Sequence, residues 1–226
     1  MVQRVLDIFF ASLAILVLLP ILLPLVVVLK VTGEGEIFFK QPRIGKSGRE
    51  FKLIKFATML KDSPHIGTGT VTLNDDPRIL PVGRFLRKSK INELPQLLNV
   101  IRGEMSIIGP RPQTKRCFDT FPQLCQSEII KVAPGLSGIG SIIFRNEEAM
   151  LNDSDYATDF YDSVIMPYKG ALEVWYVRNN NIVVYFLLVL FTIWVVFTSK
   201  SAIAWKLFPD LPEIPNNLRR ELLNRD

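Results

Sequence analysis

A chain of 226 residues with a net charge of +5 is long enough for one compact domain, and its two cysteines and one histidine are too few to hold a structural zinc ion. The lone histidine, His65, lies in a Pro/Gly-rich stretch, which argues against Ser-His-Asp or Cys-His catalysis, and Cys117 and Cys125 read as free thiols of a reducing compartment. The basic excess suits an anionic membrane surface, a phosphorylated substrate or a nucleic acid without choosing among them.

The apolar residues concentrate at the two ends of the chain, with the charges between them. From Ile8 to Leu29 no side chain is charged, and Ser12 is the only polar one. The run meets the roughly 20 residues needed to cross a hydrocarbon core. It exceeds the apolar region of a signal peptide, and no A-x-A-like site follows Lys30, so it reads as a retained anchor. Pro20 cannot donate to the carbonyl of Leu16, nor Pro24 to that of Pro20. Freed carbonyls in lipid need other partners, so the segment is either a kinked spanning helix or a helix that breaks and returns to the same leaflet. Only Arg4 is basic before it, whereas Lys30, Lys40, Arg43, Lys46, Arg49, Lys52 and Lys55 follow. By the positive-inside rule the body of the protein is cytoplasmic.

Between Glu36 and Met59 two short extended runs, Ile37-Phe38-Phe39 and Phe51-Lys52-Leu53-Ile54, flank the turn Gly45-Lys46-Ser47-Gly48 and predict a β-hairpin. Lys61 to Gly69 reads as a loop. Arg84 to Val100 has helical spacing in Phe85, Ile91, Leu94, Leu97 and Leu98, with a break expected near Asn92 because of Pro95. Gly109-Pro110-Arg111-Pro112 ends the next segment in extended or turn conformation. Arg84, Arg87 and Lys88 precede Glu93 on neighbouring turns. Arg87 and Arg111 are suited to clamp phosphate oxygens in bidentate fashion, the alternative being a solvated basic face.

The second uncharged run, Ile182 to Ser199, is borderline in length for spanning. It leaves three readings open: a membrane helix, a buried core helix or an interfacial one. Trp205 and Lys206 suit the water–lipid boundary, and the tail with Pro209, Pro212 and Pro215 is expected on or near the membrane.

An ordered series of blocks from about Arg4 to about Tyr176 resembles the bacterial sugar transferases known as monotopic phosphoglycosyl transferases. The blocks are Phe39-Lys40-Gln41-Pro42-Arg43-Ile44-Gly45, Lys55-Phe56-Ala57-Thr58-Met59, Asp76-Pro77-Arg78-Ile79 and Gly83-Arg84-Phe85-Leu86-Arg87-Lys88. Asn92-Glu93-Leu94-Pro95-Gln96-Leu97-Leu98-Asn99-Val100 follows, then Arg102-Gly103-Glu104-Met105-Ser106, Gly109-Pro110-Arg111-Pro112, Pro134-Gly135-Leu136-Ser137-Gly138 and Arg145-Asn146. Any one block is weak; their order is specific.

The resemblance implies an α/β fold, mainly helical with a small β-hairpin, embedded through an N-terminal re-entrant helix and interfacial amphipathic helices. The division expected is a re-entrant helix at 1–30, a cytoplasmic catalytic domain at 31–181 and a C-terminal apolar or interfacial segment at 182–226. Pro20 matches the family's helix break, where the family often places a serine just before and this chain has Leu19. The reaction implied moves a sugar 1-phosphate from a UDP-sugar to undecaprenyl phosphate with release of UMP, at the cytoplasmic face of the bacterial inner membrane, as the first membrane step of a glycoconjugate pathway such as exopolysaccharide or lipopolysaccharide synthesis. An aspartate attacks the β-phosphorus, Mg²⁺ neutralises the diphosphate, and arginines hold the phosphoryl oxygens. The resemblance assigns Glu93 to metal binding or acid–base work, and Arg87, Arg111, Arg145 and Lys55 to phosphate binding, with a snorkelling lysine as the alternative for Lys55. Partners implied are the UDP-sugar, undecaprenyl phosphate and inner-membrane lipids; nucleic acid is not among them, and a homo-oligomer stays open.

One departure matters. The family's adjacent acidic pair is here Asn92-Glu93, so the nucleophile's position carries a neutral amide. Three readings follow: an active branch using Glu93 or another carboxylate, a chain that lost its nucleophile but still binds, or transfer without a covalent step with Glu93 as general base or metal ligand. A non-catalytic membrane subunit that binds nucleotide sugar or lipid phosphate is thus the main competing function. A membrane-anchored nucleic-acid binder is disfavoured by scattered charge and no recognisable motif.

Overall fold

The computed structural model describes residues 2–32, 34–63, 76–145, 147, 157–198 and 200–223. Most of the expected loop from Lys61 to Gly69, together with His65, Asn146 and Ser199, lies outside these residues. The fold is mainly helical with two small sheets.

Helix α1 (Val2–Val31) runs through both prolines. The helix break expected at Pro20 is not seen: Pro20 and Pro24 remove two backbone donors, and the helix continues through them. It is the one described helix long and apolar enough to cross a membrane. Most of its side chains are exposed, yet one side packs on the body along much of its length. Ala11 belongs to a core with Leu53, Leu97, Val100 and Met105. Leu29 belongs to another with Phe56 and Leu86.

The hairpin forms as expected from β1 (Phe38–Ile44) and β2 (Glu50–Phe56), antiparallel, with Phe38 opposite Phe56 and Phe39 opposite Lys55. The Phe38 and Phe56 rings stack at 5.6 Å. Helix α2 (Pro81–Lys88) starts on a proline and ends at Ser89. A 3₁₀ turn over Ile91–Glu93 and helix α3 (Gln96–Arg102) follow, so the break foreseen near Asn92 is real. Gly103, at φ 84°, closes α3 in the left-handed region that glycine tolerates. Asn99 of α3 is fully buried. Its Oδ1 accepts from the Ile54 amide at 3.1 Å and its Nδ2 donates to the Lys52 carbonyl at 2.9 Å, so a side chain satisfies backbone groups of β2.

Strand β3 (Ser106–Ile108) leads past helices α4 (Lys115–Asp119) and α5 (Gln123–Ile129) to β4 (Gly135–Ser137), which pairs with it in parallel. Gly135 leaves no room for a Cβ against Gly109, which lets the two backbones meet. The largest core gathers α6 (Ile139–Ile143), α8 (Met166–Asn179), α9 (Ile182–Thr198) and the C-terminal segment; α7 (Ala157–Phe160) and a π-turn over Tyr161–Ile165 precede α8. The short helices α10 (Ala204–Leu207) and α11 (Asn216–Leu223) add Ala204, Leu218 and Leu222 to this core. Cys117 and Cys125 are free and buried.

Helix α9 settles one of the open readings. Asn181 caps it, its Oδ1 accepting from the amides of Val183 and Val184 at 2.9 and 3.0 Å. Tyr185, Leu188, Phe191 and Val195 form a buried stripe, while Val183, Leu190, Ile193, Trp194 and Phe197 stay exposed. The helix is half packed on the protein, which removes the fully buried core helix from the three readings.

Near the starts of α1 and α9 an acidic side chain joins three elements. Buried Asp7 accepts from the Ile107 amide and from the Tyr185 hydroxyl, both at 2.9 Å and both through Oδ1. Asp7→Ala strands two donors and is expected to cost about 2–4 kcal/mol in unfolding of the detergent-solubilised protein, whereas Asp7→Asn keeps the Oδ1 acceptor and recovers much of it. Equal stability of all three chains would remove this latch from the account of the fold.

Candidate active site

The chain turns out of α2 at Lys90, a non-glycine residue at φ 59°. Such a conformation costs on the order of 1 kcal/mol and is concentrated at functional sites. The 3₁₀ geometry then separates successive side chains by about 120°. Asn92 turns inward, 6% exposed, and Glu93 turns to a cavity of about 450 Å³.

Glu93 is the hub. Its Oε1 meets the Lys55 ammonium from β2 at 3.1 Å and the Arg111 guanidinium from the segment after β3 at 3.0 Å. Burial pushes the Glu93 carboxyl up, but Lys55 and Arg111, with Lys90 behind them, hold it well below the usual carboxylate range. Burial lowers Lys55 to about 8 despite the attraction of Glu93. The Glu93 carboxylate raises Arg111 against the opposing effect of burial. Arg43 of β1 is also lowered, to about 10, by burial and then by Arg111; it donates to the Pro112 carbonyl at 3.1 Å, on the other side of Arg111.

Arg111 is fixed from a second direction. Its backbone amide donates to Glu173 Oε1 at 3.2 Å. Glu173 lies in α8, 1% exposed, against Gly140 of α6, where a Cβ would strike its carboxylate. Burial pushes Glu173 up to about 7. One turn earlier, Lys169 is equally buried; its ammonium meets Glu147 Oε2 at 2.5 Å and lies 5.5 Å from the Phe144 ring centre. Burial raises Glu147, but Lys169 outweighs it and the carboxyl is lowered.

The raised Glu173 sets a pH dependence of stability. An acid more basic when folded than when unfolded binds its proton preferentially in the native state, so its contribution is complete below about 4.5 and is lost as pH rises through about 7. Glu173→Gln, which keeps the Oε1 acceptor, is expected to be more stable than the parent at pH 8 by on the order of a few kcal/mol, with no difference at pH 4.5. Thermal unfolding at the two pH values checks this; a parallel fall in both chains would show that another group carries the dependence.

Of the residues expected from sequence, Glu93, Arg111 and Arg145 line the cavity, and Lys55 joins it through Glu93. Asn92 and Arg87 are not among the described lining residues. Asn92 is buried with its Oδ1 lacking a hydrogen-bond partner, and the Arg87 guanidinium lies 3.9 Å from Met59 Sδ. Sequence reasoning missed Lys90, Ser141, Glu147, Lys169 and Glu173. For the last two a signal was present: opposite charges one turn apart, Lys169 and Glu173, in a helix whose other side chains before Arg178 are uncharged.

Among the described residues no three His, Cys, Asp or Glu side chains converge on one point. A protein-only metal cage is therefore not built here. Both ion pairs of Glu93 use Oε1, and Oε2 takes part in neither. A Mg²⁺ that takes one carboxylate oxygen and fills its shell with substrate phosphate and water fits this donor set.

A cavity ringed by Lys90, Arg111, Arg145 and Lys169, with two carboxylates paired among them, is suited to a phosphorylated ligand. Sequence comparison gives the class: the family model for bacterial sugar transferases matches residues 1–199, and the chain belongs to that family. It is a transferase. Among its relatives, the exopolysaccharide production protein ExoY of Sinorhizobium fredii is 33% identical over 214 residues, covering 88% of this chain and 87% of ExoY. The UDP-N-acetylgalactosamine-undecaprenyl-phosphate N-acetylgalactosaminephosphotransferase of Aeromonas hydrophila is 32% identical over 203 residues, 89% of this chain and 45% of that protein. The UDP-glucose:undecaprenyl-phosphate glucose-1-phosphate transferase of Escherichia coli is 32% identical over 179 residues, 78% of this chain and 38% of its own. The chain thus spans nearly all of ExoY but less than half of the two longer transferases.

Proposed function

We propose that this chain transfers a sugar 1-phosphate from a UDP-sugar to undecaprenyl phosphate, releasing UMP, at the cytoplasmic face of the bacterial inner membrane, as the first membrane step of a glycoconjugate pathway. The observation that carries the reading is one cavity in which the Glu93–Arg111 pair and the cations Lys90, Arg145 and Lys169 face apolar side chains of α9. A nucleotide sugar and a lipid phosphate meet such a site from opposite sides, one from water and one from the bilayer. The names of the relatives from Aeromonas hydrophila and Escherichia coli support the same reaction.

A re-entrant α1 completes the arrangement. Pro20 and Pro24 are the positions at which such a helix would bend. The exposed apolar middle of α1 then lies in one leaflet, and the basic residues after Lys30 stay at the cytoplasmic surface.

Arg111 and Arg145, with Lys55 and the more distant Arg87, supply charge for the diphosphate oxygens. Mg²⁺ held through Glu93 would neutralise phosphate charge and is expected to be required. Glu93 also fixes Arg111 and Lys55 in place before substrate arrives. The buried amide of Asn92 favours a second reading, in which this chain binds nucleotide sugar or lipid phosphate but turns over slowly or not at all. UMP release measured across a panel of UDP-sugars, with undecaprenyl phosphate and Mg²⁺, tests both readings. Mg²⁺-dependent UMP supports the first; saturable binding of a UDP-sugar without UMP supports the second. Neither binding nor release would sink the two together.

A further inference from the structure

The cavity beside Glu93 has two kinds of lining. Its polar lining includes Lys90, Arg111, Arg145 and Lys169, together with Ser141, whose buried Oγ has no hydrogen-bond partner. Its apolar lining, a slot for hydrocarbon, comes from Val189, Ile193 and Val196 of α9 and from Leu94, Ile107 and Leu136. Positions 189, 193 and 196 fall at helical spacing and form a third stripe on α9, distinct from the buried stripe Tyr185–Leu188–Phe191–Val195.

Two hydroxyls border this slot, and neither has a proton left to donate to a polar ligand. Ser137 and Thr192 share a hydrogen bond at 2.9 Å, and Thr192 also donates to the Leu188 carbonyl at 2.7 Å. A nucleoside or a sugar placed there would find only hydroxyl lone pairs in place of its hydrogen bonds to water. A branched hydrocarbon loses nothing and buries its surface. Beyond the slot, Leu190, Trp194 and Phe197 of the same helix are exposed, an apolar surface continuous with lipid if α9 lies at the interface.

We propose that this slot is the site for the first isoprene units of the lipid acceptor, with α9 forming the wall that selects an unsaturated, methyl-branched chain and delivers its phosphate to the cationic side chains. The inference rests on the transferase reading and adds to it a role for α9 that the reaction itself does not require. A cavity of about 450 Å³, within the roughly 300–1,000 Å³ of small-ligand sites, holds the phosphate and the start of such a tail, the remainder lying in the bilayer.

The test uses the full chain in nanodiscs with an isoprenyl phosphate carrying a diazirine on its first isoprene unit. After photolysis, peptide mapping is expected to place the label on residues 189–196 or on Leu136. Ile193→Trp, which fills the slot, is expected to lower labelling and raise the KM for undecaprenyl phosphate by about tenfold or more, as loss of a few methylene-sized contacts would. Its affinity for a UDP-sugar should stay unchanged. Label confined to the exposed middle of α1, or equal losses in lipid and UDP-sugar binding, would overturn the proposal. Mapping on the parent chain needs no variant, so misfolding of Ile193→Trp does not decide the matter. UMP release by a chain whose label avoids both α9 and Leu136 would overturn the slot and leave the transferase standing; label in the slot with no nucleotide-sugar binding or UMP release would do the reverse.

Discussion

Asn92→Asp is expected to raise UMP release by roughly 10³-fold or more, since removing an enzyme's nucleophile costs up to about 10⁶ in kcat. Carboxamide and carboxylate have nearly the same shape, so the exchange leaves packing alone and changes only charge and nucleophilicity. A carboxylate at a site 6% exposed is costly without partners. Here Lys55, Arg111 and Lys90 hold the neighbouring Glu93 well below its usual range, and these cations offset part of the repulsion that the Glu93 carboxylate would exert on a second one. The present amide leaves a buried oxygen without a donor, which is what a site shaped for a metal- or cation-facing oxygen looks like when the oxygen is neutral. Steady-state UMP release and intact mass after a single turnover check the expectation: the aspartate chain should retain a phosphosugar that the parent does not. Equal release from both chains would reject a nucleophile at position 92 and leave the non-covalent route through Glu93. Silence from both, with any UDP-sugar, would count against the transferase reading itself.

The parts of this fold that were legible in the sequence are those set by neighbours in the chain. Two runs around Gly45-Lys46-Ser47-Gly48 gave the hairpin because the turn and the alternating strands are local signals. The break before Pro95 was legible for the same reason. The meeting of Lys55, Glu93 and Arg111 was not: they are 38 and 18 residues from the hub, on a strand, a 3₁₀ turn and a loop, and only the resemblance to a family placed them together. The parallel pair β3–β4 went unseen because three residues carry no periodicity. Helix α9 could not be assigned from composition, since a helix apolar on every side does not reveal which stripe meets protein and which meets lipid. Asp7 was hidden by its position just before the apolar run, where an acid reads as an ordinary flank; its partners Ile107 and Tyr185 are 100 and 178 residues away.

Glu93→Gln is expected to reduce turnover by roughly 10²–10³-fold, the scale set by loss of a positioned charge or proton-transfer group. The same change leaves the Lys55 ammonium and the Arg111 guanidinium facing each other without their shared counter-charge. Removing one partner from a fully buried pair costs about 3–5 kcal/mol, but Lys55 and Arg111 are 17% and 31% exposed, so about 1–3 kcal/mol is the expected fall in stability. Two effects of one substitution can be separated because they respond differently to a second. Glu93→Gln combined with Lys55→Met removes a cation along with the anion, and should restore most of the stability while leaving turnover low. A double-mutant cycle in chemical denaturation reads the first, and UMP release reads the second. Recovery of turnover in the double variant would reduce Glu93 to a charge balancer for Lys55. Half or more of parental turnover in Glu93→Gln alone would place the reacting groups somewhere other than this carboxylate. The conjunction expected, stability rescued and chemistry not, is the signature of a residue that first holds two cations in place and then meets the substrate between them.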